Sequence, residues 1–582
     1  MLTRYVHAFA LSMLAAGLFP TLAACAPDES QGDLSPPALI LAEPLSLKCG
    51  PPADLDHFFS RGVTWQSKPQ GMASTGLLAV PFDRSTLKRD LVVSNGNDVA
   101  PQPITIYYAR KGASSSAFPQ YAALPEWISS RHAQHGHLAA GDIDRDGLID
   151  LVAAVMVGYP VKITVEKGDL YPMGGLVVYK GIDGCADGST GDEDCDRHRT
   201  LSPEPIASLS GFSAMSVSLG DVNGDGWLDL AVGALVESES PVALPHERPK
   251  GPWKIFLNDK GEFDWGAPIT SEMDFNATDV ELADINLDGR LDLVMAASRE
   301  IRVFYGELGD DGRPTISRIA GWVSDKTEFE SVGREVAAFI TSVDVAVMNP
   351  AIDREAAIVA SVSCLQTSQP CAGRYLLYRP KVGGQNRKPI WTHAWPGWGG
   401  EVRLRDMDGD CLTDLVGGSW FAWDAEKHKA APAQIRIFQG DGATLAAKPV
   451  WESEVEGGFV GQAIDLADLS CDGVELQTAR FVSPGHTVTL TIPDANFESF
   501  YRVRVVTEES EKTLDRRDYT FAVGERWVVV PALPRGSEIA VDYVRSRNPD
   551  IVTGTFGFNS GVYVFERFGS SPRASCIPPE QN

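Results

Sequence analysis

The chain has 582 residues, 43% of them hydrophobic, with 55 Gly, 38 Pro and a formal net charge of -27. This is the composition of a folded protein, long enough for several ordinary domains or for one large repeat architecture. So acidic a surface repels phosphate backbones and anionic headgroups, which excludes a nucleic-acid-tracking role. Long amphipathic helical patterns are hard to find. Short apolar or alternating runs bounded by Gly, Pro, Asn and Asp recur instead, and they predict an all-β chain.

At the amino terminus, Arg4 supplies a positive region, Ala8 to Leu18 an apolar one, and Leu22-Ala23-Ala24-Cys25 closes the segment. Those are the parts of a processing signal, and the apolar stretch, broken by Pro20, is short for a spanning helix. The closing tetrapeptide resembles the bacterial lipobox, in which the Cys becomes the lipidated first residue; an ordinary secretory signal cut near Ala24 is the alternative. Ala26 stands where an Asp would favour inner-membrane retention, so the resemblance implies an exported outer-membrane lipoprotein, on the surface or the periplasmic face. Residues 1–24 are therefore read as a signal peptide and 25–48, with Pro36-Pro37, as a lipidated tether. The folded body is expected over 49–576, with a tail at 577–582.

Within that body one acidic nine-residue loop occurs four times, at 142–150, 221–229, 284–292 and 406–414. Oxygen-bearing side chains occupy positions 1, 3, 5 and 9 of each. They are Asp142, Asp144, Asp146 and Asp150; Asp221, Asn223, Asp225 and Asp229; Asp284, Asn286, Asp288 and Asp292; and Asp406, Asp408, Asp410 and Asp414. An all-oxygen set suits Ca²⁺, with the carbonyls of the seventh residues (Leu148, Trp227, Arg290 and Leu412) as backbone ligands. Four such ions would reduce the net charge to about -19. A degenerate fifth copy offers Asp468, Ser470 and Asp472 as a possible further site. In the fourth copy Cys411 replaces the loop Gly, which predicts a strained turn.

Every loop runs into an apolar strand, and a second strand type follows, as in Ile301-Arg-Val-Phe-Tyr305 and Ile435-Arg-Ile-Phe438. Trp65, Trp127, Trp322, Trp391, Trp451 and Trp527 open a further strand ahead of most loops. Stepping at about sixty residues finds eroded units near Asp90, Asp344 and Asp550, giving eight units of roughly four strands. Radial stacking buries both faces of such units and protects their edges, which predicts a β-propeller of four-stranded antiparallel blades. Eight blades are expected; the alternative is seven, with the first and last units sharing one. A charged stretch from Glu508 to Asp518 predicts a protruding hairpin within 481–535.

The motif Asp-x-Asp/Asn-x-Asp-Gly-x-x-Asp, repeated and followed by an apolar strand, resembles the FG-GAP or VCBS repeat of integrin α-chain propellers and bacterial surface proteins. That resemblance implies calcium in the loops as a structural staple and a ligand-binding face elsewhere.

Nine cysteines less Cys25 leave an even set, which in an exported chain suggests disulfides. Cys185–Cys195 and Cys364–Cys371 read as local staples, Cys49–Cys576 as a tie between the ends of the body, and Cys411–Cys471 as a bridge between repeats. The acidic stretch 181–200 reads as a pinned loop, with an extra calcium as the alternative. His132, His135 and His137 invite a zinc reading but lack supporting ligands, so an ordinary loop is expected. Trp391, Trp395 and Trp398 read as packing between blades rather than a sugar platform. No catalytic elbow, zinc-protease motif, phosphate loop or Rossmann fingerprint occurs. Two functions remain: a lipid-anchored, calcium-stabilised surface module binding a protein or glycan without catalysis, or a calcium-dependent polysaccharide-degrading enzyme resembling the lyase propellers.

Overall fold

Backbone pairing follows the acidic loops. In the computed structural model the described residues are 45, 47 and 49–567, apart from 70, 72, 83–86, 97–100, 110–120, 158–162, 166–167, 171–172, 184–198, 237–250, 327–337, 354, 365–371, 425–428, 432–434, 455–460, 508–509 and 556–560. Gly141 pairs with Asp150, Gly220 with Asp229, Ala283 with Asp292 and Arg405 with Asp414. The loop is thus the turn between the first and second strands of each antiparallel sheet.

Among the described residues five four-stranded sheets and one eight-stranded sheet, which fuses two more such units, follow this order. The first comprises Ser74–Val80, Asp90–Asn95, Thr105–Tyr107 and Trp127–Ile128. The second, third and fourth begin at Gln134–Gly141, Ser213–Gly220 and Ala277–Ala283. The fifth and sixth are fused, because the long strand Trp391–Arg405 pairs with Ala372–Tyr378 through its first half and with Asp414–Asp424 through its second. The seventh is assembled from distant pieces: Ala463–Ala467, Asp550–Gly554, Val562–Phe565 and, as its outermost strand, Trp65–Gln66.

First strands lie beside one another in order, and Ala463–Ala467 of the seventh sheet lies beside Ser74–Val80 of the first. The cores have the same neighbour relation. Leu77, Leu91 and Val93 of the first sheet pack with Ala463, Val552 and Val564 of the seventh, just as Val294 and Ile301 of the fourth pack with Ile358 and Leu376 of the fifth. The architecture is propeller-like. The tryptophans act at these junctions: indole Nε1 of Trp127 donates to the Leu201 carbonyl at 2.9 Å, and that of Trp322 to Asn386 at 3.0 Å. Each buried ring thereby keeps its polar edge satisfied by the next unit.

The units expected at Asp468 and at Asp550 are not separate: Ala463–Ala467 pairs with Asp550–Gly554 in one sheet. Residues 474–546 do not form a repeat sheet; they are inserted within the seventh. Val474–Val482, Glu538–Ser546, Phe497–Val506 and Glu511–Thr513 form one sheet, and Val488–Thr491 pairs with Trp527–Val530. The insert has its own core around Phe481, Leu490, Val503, Val528 and Tyr543. Its alternating strands carry the same period-two signal as the repeats, so periodicity could not separate them. Glu511–Thr513, inside the predicted hairpin, is an exposed edge strand.

Cys49 bonds to Cys411, with Cα atoms 5.4 Å apart, rather than to Cys576. Cys471 is also disulfide-bonded, and with Cys411 occupied the expected Cys411–Cys471 bridge does not form. The tie runs from the start of the body to the fourth loop because residues 50–53 lie along it: Gly50 N–H donates to Gly409 O and Ala53 N–H to Asp408 O, at 3.0 and 3.1 Å. Cys25, Cys185, Cys195, Cys371 and Cys576 lie outside the described residues, as does the side chain of Cys364.

Candidate functional site: acidic loops and a capped axis

In the second loop the Asp221 carboxylate accepts from Asp225 N–H at 3.1 Å and Gly226 N–H at 2.6 Å. Asn223 Oδ1 also accepts from Asp225 N–H, and Asp225 Oδ1 from Trp227 N–H, both at 2.9 Å. The third loop repeats this wiring through Asp284, Asn286 and Asp288. Positions 4 and 6 turn the chain through the left-handed region. Position 4 holds Arg145, Gly224, Leu287 and Gly409, and position 6 holds Gly147, Gly226, Gly289 and Cys411 at φ 68°. A residue with a Cβ is disfavoured there, so the strain predicted for Cys411 is present.

Position 9 has a second role that the ligand reading missed. Both oxygens of Asp229 accept backbone N–H groups, Val222 at 2.9 Å and Asn258 at 2.8 Å. Asp150 does the same with Ile143 and Gly181, Asp292 with Ile285 and Gly306, and Asp414 with Met407 and Gly440. This carboxylate splices the loop to the sheet. The fifth copy is completed in that way by Asp550, which accepts from Leu469 N–H and Arg567 N–H, both at 2.8 Å. In the first sheet Asp90 accepts from Ala109 N–H at 2.8 Å.

The donor set fits a hard divalent cation. Carboxylate oxygens of Asp142, Asp144 and Asp146, and of Asp406, Asp408 and Asp414, converge within 4.8 Å. Burial pushes Asp150 and Asp221 up to about 7, with neighbouring aspartates adding to it. Asp408 rises to about 7 and Asp292 to about 8 in the same way, and Asp229, Asp284 and Asp414 are driven well above the carboxylate range. Clustered buried carboxylates call for a counter-charge, which an oxygen-preferring cation would supply. Protein cations supply part of it within the same loops. Lys180 bridges Asp144 and Asp146, and Arg290 pairs with Asp288. In the fifth copy Asp468 accepts from Ser546 Oγ at 2.6 Å, and Asn548 Nδ2 donates to Asp472 at 2.9 Å. The buried Ser470 donates to Asp468.

Around the axis lies a second constellation that no motif in the chain announces. Side chains of one first strand accept backbone N–H groups of the next: Ser216 from Val280 at 3.2 Å, Asp279 from Val343 at 2.9 Å and Asp465 from Ala79 at 2.7 Å. Asp344 accepts from Leu404 and Glu401 from Ile464 in the same sense. They line a cavity of about 490 Å³ together with Arg403, Glu281 and His137. His137 Nδ1 lies 3.1 Å from Asp279.

The insert closes the end of the cavity at which the acidic loops lie. Val523 N–H donates to Ala140 O at 2.8 Å, Thr520 Oγ1 to Gly226 O at 2.7 Å and Trp527 Nε1 to Leu282 O at 3.1 Å. Glu498 enters between Arg89, 3.2 Å away, and Arg405, with all three side chains at most 7% exposed. Burial opposes ionisation of Glu498, but the two guanidinium groups outweigh it and hold the carboxyl below its ordinary range.

The histidines do not gather into a metal site and do not form a loop. They flank or occupy the strand Gln134–Gly141, where register irregularities between Gln134 and His135 and between His135 and Leu138 break the alternation that would put His135 and His137 on one face. His135 is buried against the Asn95 carbonyl at 2.9 Å, whereas His137 faces the axis. Trp395 stacks on Tyr375 at 4.1 Å and Trp391 packs on Phe438, both inside the core. In the acidic stretch 181–200, Asp183 meets Arg199 at 3.1 Å and residues 184–198 lie outside the described residues.

Residues 213–241 match the FG-GAP repeat family, a span covering the first strand, acidic loop and second strand of the third sheet. No curated protein matches the chain. Among solved structures, the biofilm matrix protein Bap1 of V. cholerae is 12% identical over 62% of this chain and 74% of its own, with a TM-score of 0.26. The NanB sialidase of Streptococcus pneumoniae is 10% identical over 72% and 66%, at 0.29. An A. japonicus protein, CB05, is 10% identical over 94% and 99%, at 0.28. Likenesses this distant carry no argument about activity.

Proposed function

We propose that this chain is a calcium-stabilised, lipid-anchored surface module: a closed seven-bladed propeller that binds a protein or glycan ligand without catalysis. The observation that carries the reading is the use of the axial carboxylates. Asp279, Asp344, Glu401 and Asp465 accept N–H groups from the adjacent blade, which makes them fasteners rather than free acid–base groups. About four Ca²⁺ ions in the loops hold the blade turns, and Cys25 provides the membrane attachment at the outer membrane. The ligand then meets loops that do not repeat. Saturable, calcium-dependent binding to one member of a panel of surface glycans and proteins, without turnover, is the expected result.

One observation favours a second reading, a polysaccharide-degrading enzyme. Glu281, Asp344 and Glu525 all line the cavity, and burial together with repulsion from Asp344 pushes Glu525 up to about 8. A carboxyl that keeps its proton near neutral pH can act as a general acid. Incubating the chain with acidic polysaccharides, and following ultraviolet absorbance of unsaturated ends together with new reducing ends, separates the two. Turnover abolished by Glu525→Gln would overturn the binding-only reading.

A further inference from the structure

The insert touches the second and third acidic loops through their backbone carbonyls, but it meets the fourth with a buried side-chain amide. Asn496 of the insert is fully buried, and its Nδ2 lies 2.6 Å from Asp406 Oδ2. The adjoining Ala495 carbonyl accepts from Asp406 N–H at 3.2 Å. At the other end of the same amide, Oδ1 is buried without a hydrogen-bond partner. A buried carbonyl oxygen left unsatisfied is unfavourable, and a native fold normally supplies it with a partner.

The amide is held firmly in place. Asn496 N–H donates to Asp494 Oδ1 at 2.9 Å, and Asp494 in turn meets Tyr543 Oη at 2.8 Å and Arg545 Nε at 2.9 Å. In front of it stand Asp406, Asp408 and Asp414, all buried, with carboxylate oxygens converging within 4.8 Å.

We propose that Asn496 supplies Oδ1 as a long-range ligand to a divalent cation held by Asp406, Asp408 and Asp414, so that the cation fastens the insert to the ring. This rests on the calcium reading of the acidic loops and adds a ligand that the nine-residue repeat does not contain. Half a turn about the terminal torsion exchanges the two ends of an amide, which differ only in hydrogen-bonding sense. With a cation among the carboxylates the oxygen end faces it, because calcium takes amide carbonyl oxygens readily. Linkage makes the effect reciprocal: calcium at this loop strengthens docking of the insert, and a docked insert strengthens calcium binding.

The test is calcium titration of the full chain by calorimetry, joined to hydrogen exchange over 493–498 with and without calcium. Asn496→Ala is expected to weaken one site about tenfold and leave the rest unchanged. Asn496→Asp, which keeps an oxygen and cannot donate, is expected to retain or raise that affinity. In the unmodified chain calcium should slow exchange over 493–498, and Asp221→Ala, which disables the second loop, should not remove that protection. Wild-type affinity at every site in Asn496→Ala overturns the proposal. So does Asn496→Asp losing as much as Asn496→Ala, since the side chain would then serve only as a donor to Asp406. Absence of any calcium uptake by the unmodified chain is a different failure, that of the calcium reading itself.

Discussion

The third and fifth acidic loops perform one structural task with two chain paths. In the third, Ile285 N–H reaches the Asp292 carboxylate seven residues later. In the fifth, Leu469 N–H reaches Asp550 across 81 residues, with the whole insert between them. In each case the other carboxylate oxygen takes an N–H beyond the following strand, from Gly306 or Arg567. The repeat is therefore defined by where the ninth carboxylate sits relative to the sheet, and the chain can be cut between positions 6 and 9 without losing it.

Calcium removal should separate the two loops most sharply. The third loop draws its oxygens locally, whereas Asp468 and Asp472 in the fifth are already served by Ser546 and Asn548. Chelation is expected to cost about 2.7 kcal/mol for each site saturated a hundredfold above its Kd, read as a large fall in Tm. Hydrogen exchange should rise at 284–292 and change little at 468–473. In chelator the pH dependence follows from the raised carboxylates. Asp150, Asp221 and Asp292 bind protons in the folded state up to pH 7–8 but near 4 when unfolded. Stability should therefore fall as pH rises from about 4 to about 8. With calcium bound that slope should flatten or reverse. A metal-free chain whose melt does not respond to pH would show that these groups are not buried as described.

The insert's attachment is the next effect in size. Glu498→Ala strands two buried guanidinium groups and is expected to cost about 3–5 kcal/mol, loosening the insert before the ring. If proteolysis then releases the ring first, the insert is not an independent cap. Asp292→Ala and Asp550→Ala each orphan two buried N–H groups, and a loss of about 2–4 kcal/mol is expected from either. Equal losses sharpen the comparison, and a neutral Asp550→Ala breaks it.

Much of the architecture was legible in the chain. The four intact loops marked the turn between first and second strands, and Asp90 and Asp550 were found by stepping the period. Trp127, Trp322 and Trp451 did mark outermost strands. Trp527 misled the count, because a Trp followed by alternating apolar residues reads the same in the insert as in a repeat. The site was legible only where it is local. Asp142, Asp144 and Asp146 follow from spacing, whereas Asn496, the Cys49–Cys411 bond and the carboxylate fasteners at Asp279, Glu401 and Asp465 join residues far apart in sequence.

By itself the sequence determined the all-β class, the period and the chemistry of the acidic turns, because side-chain alternation and turn residues act over a few positions. Tertiary structure alone decided that Asp550–Gly554 joins Ala463–Ala467 in one sheet, that Trp65–Gln66 completes that sheet, and that 474–546 closes the axis. The reason is physical. A β-strand presents the same donors and acceptors to any partner, so its neighbour is selected by packing and by buried N–H groups finding acceptors across the fold, and neither is written in local spacing.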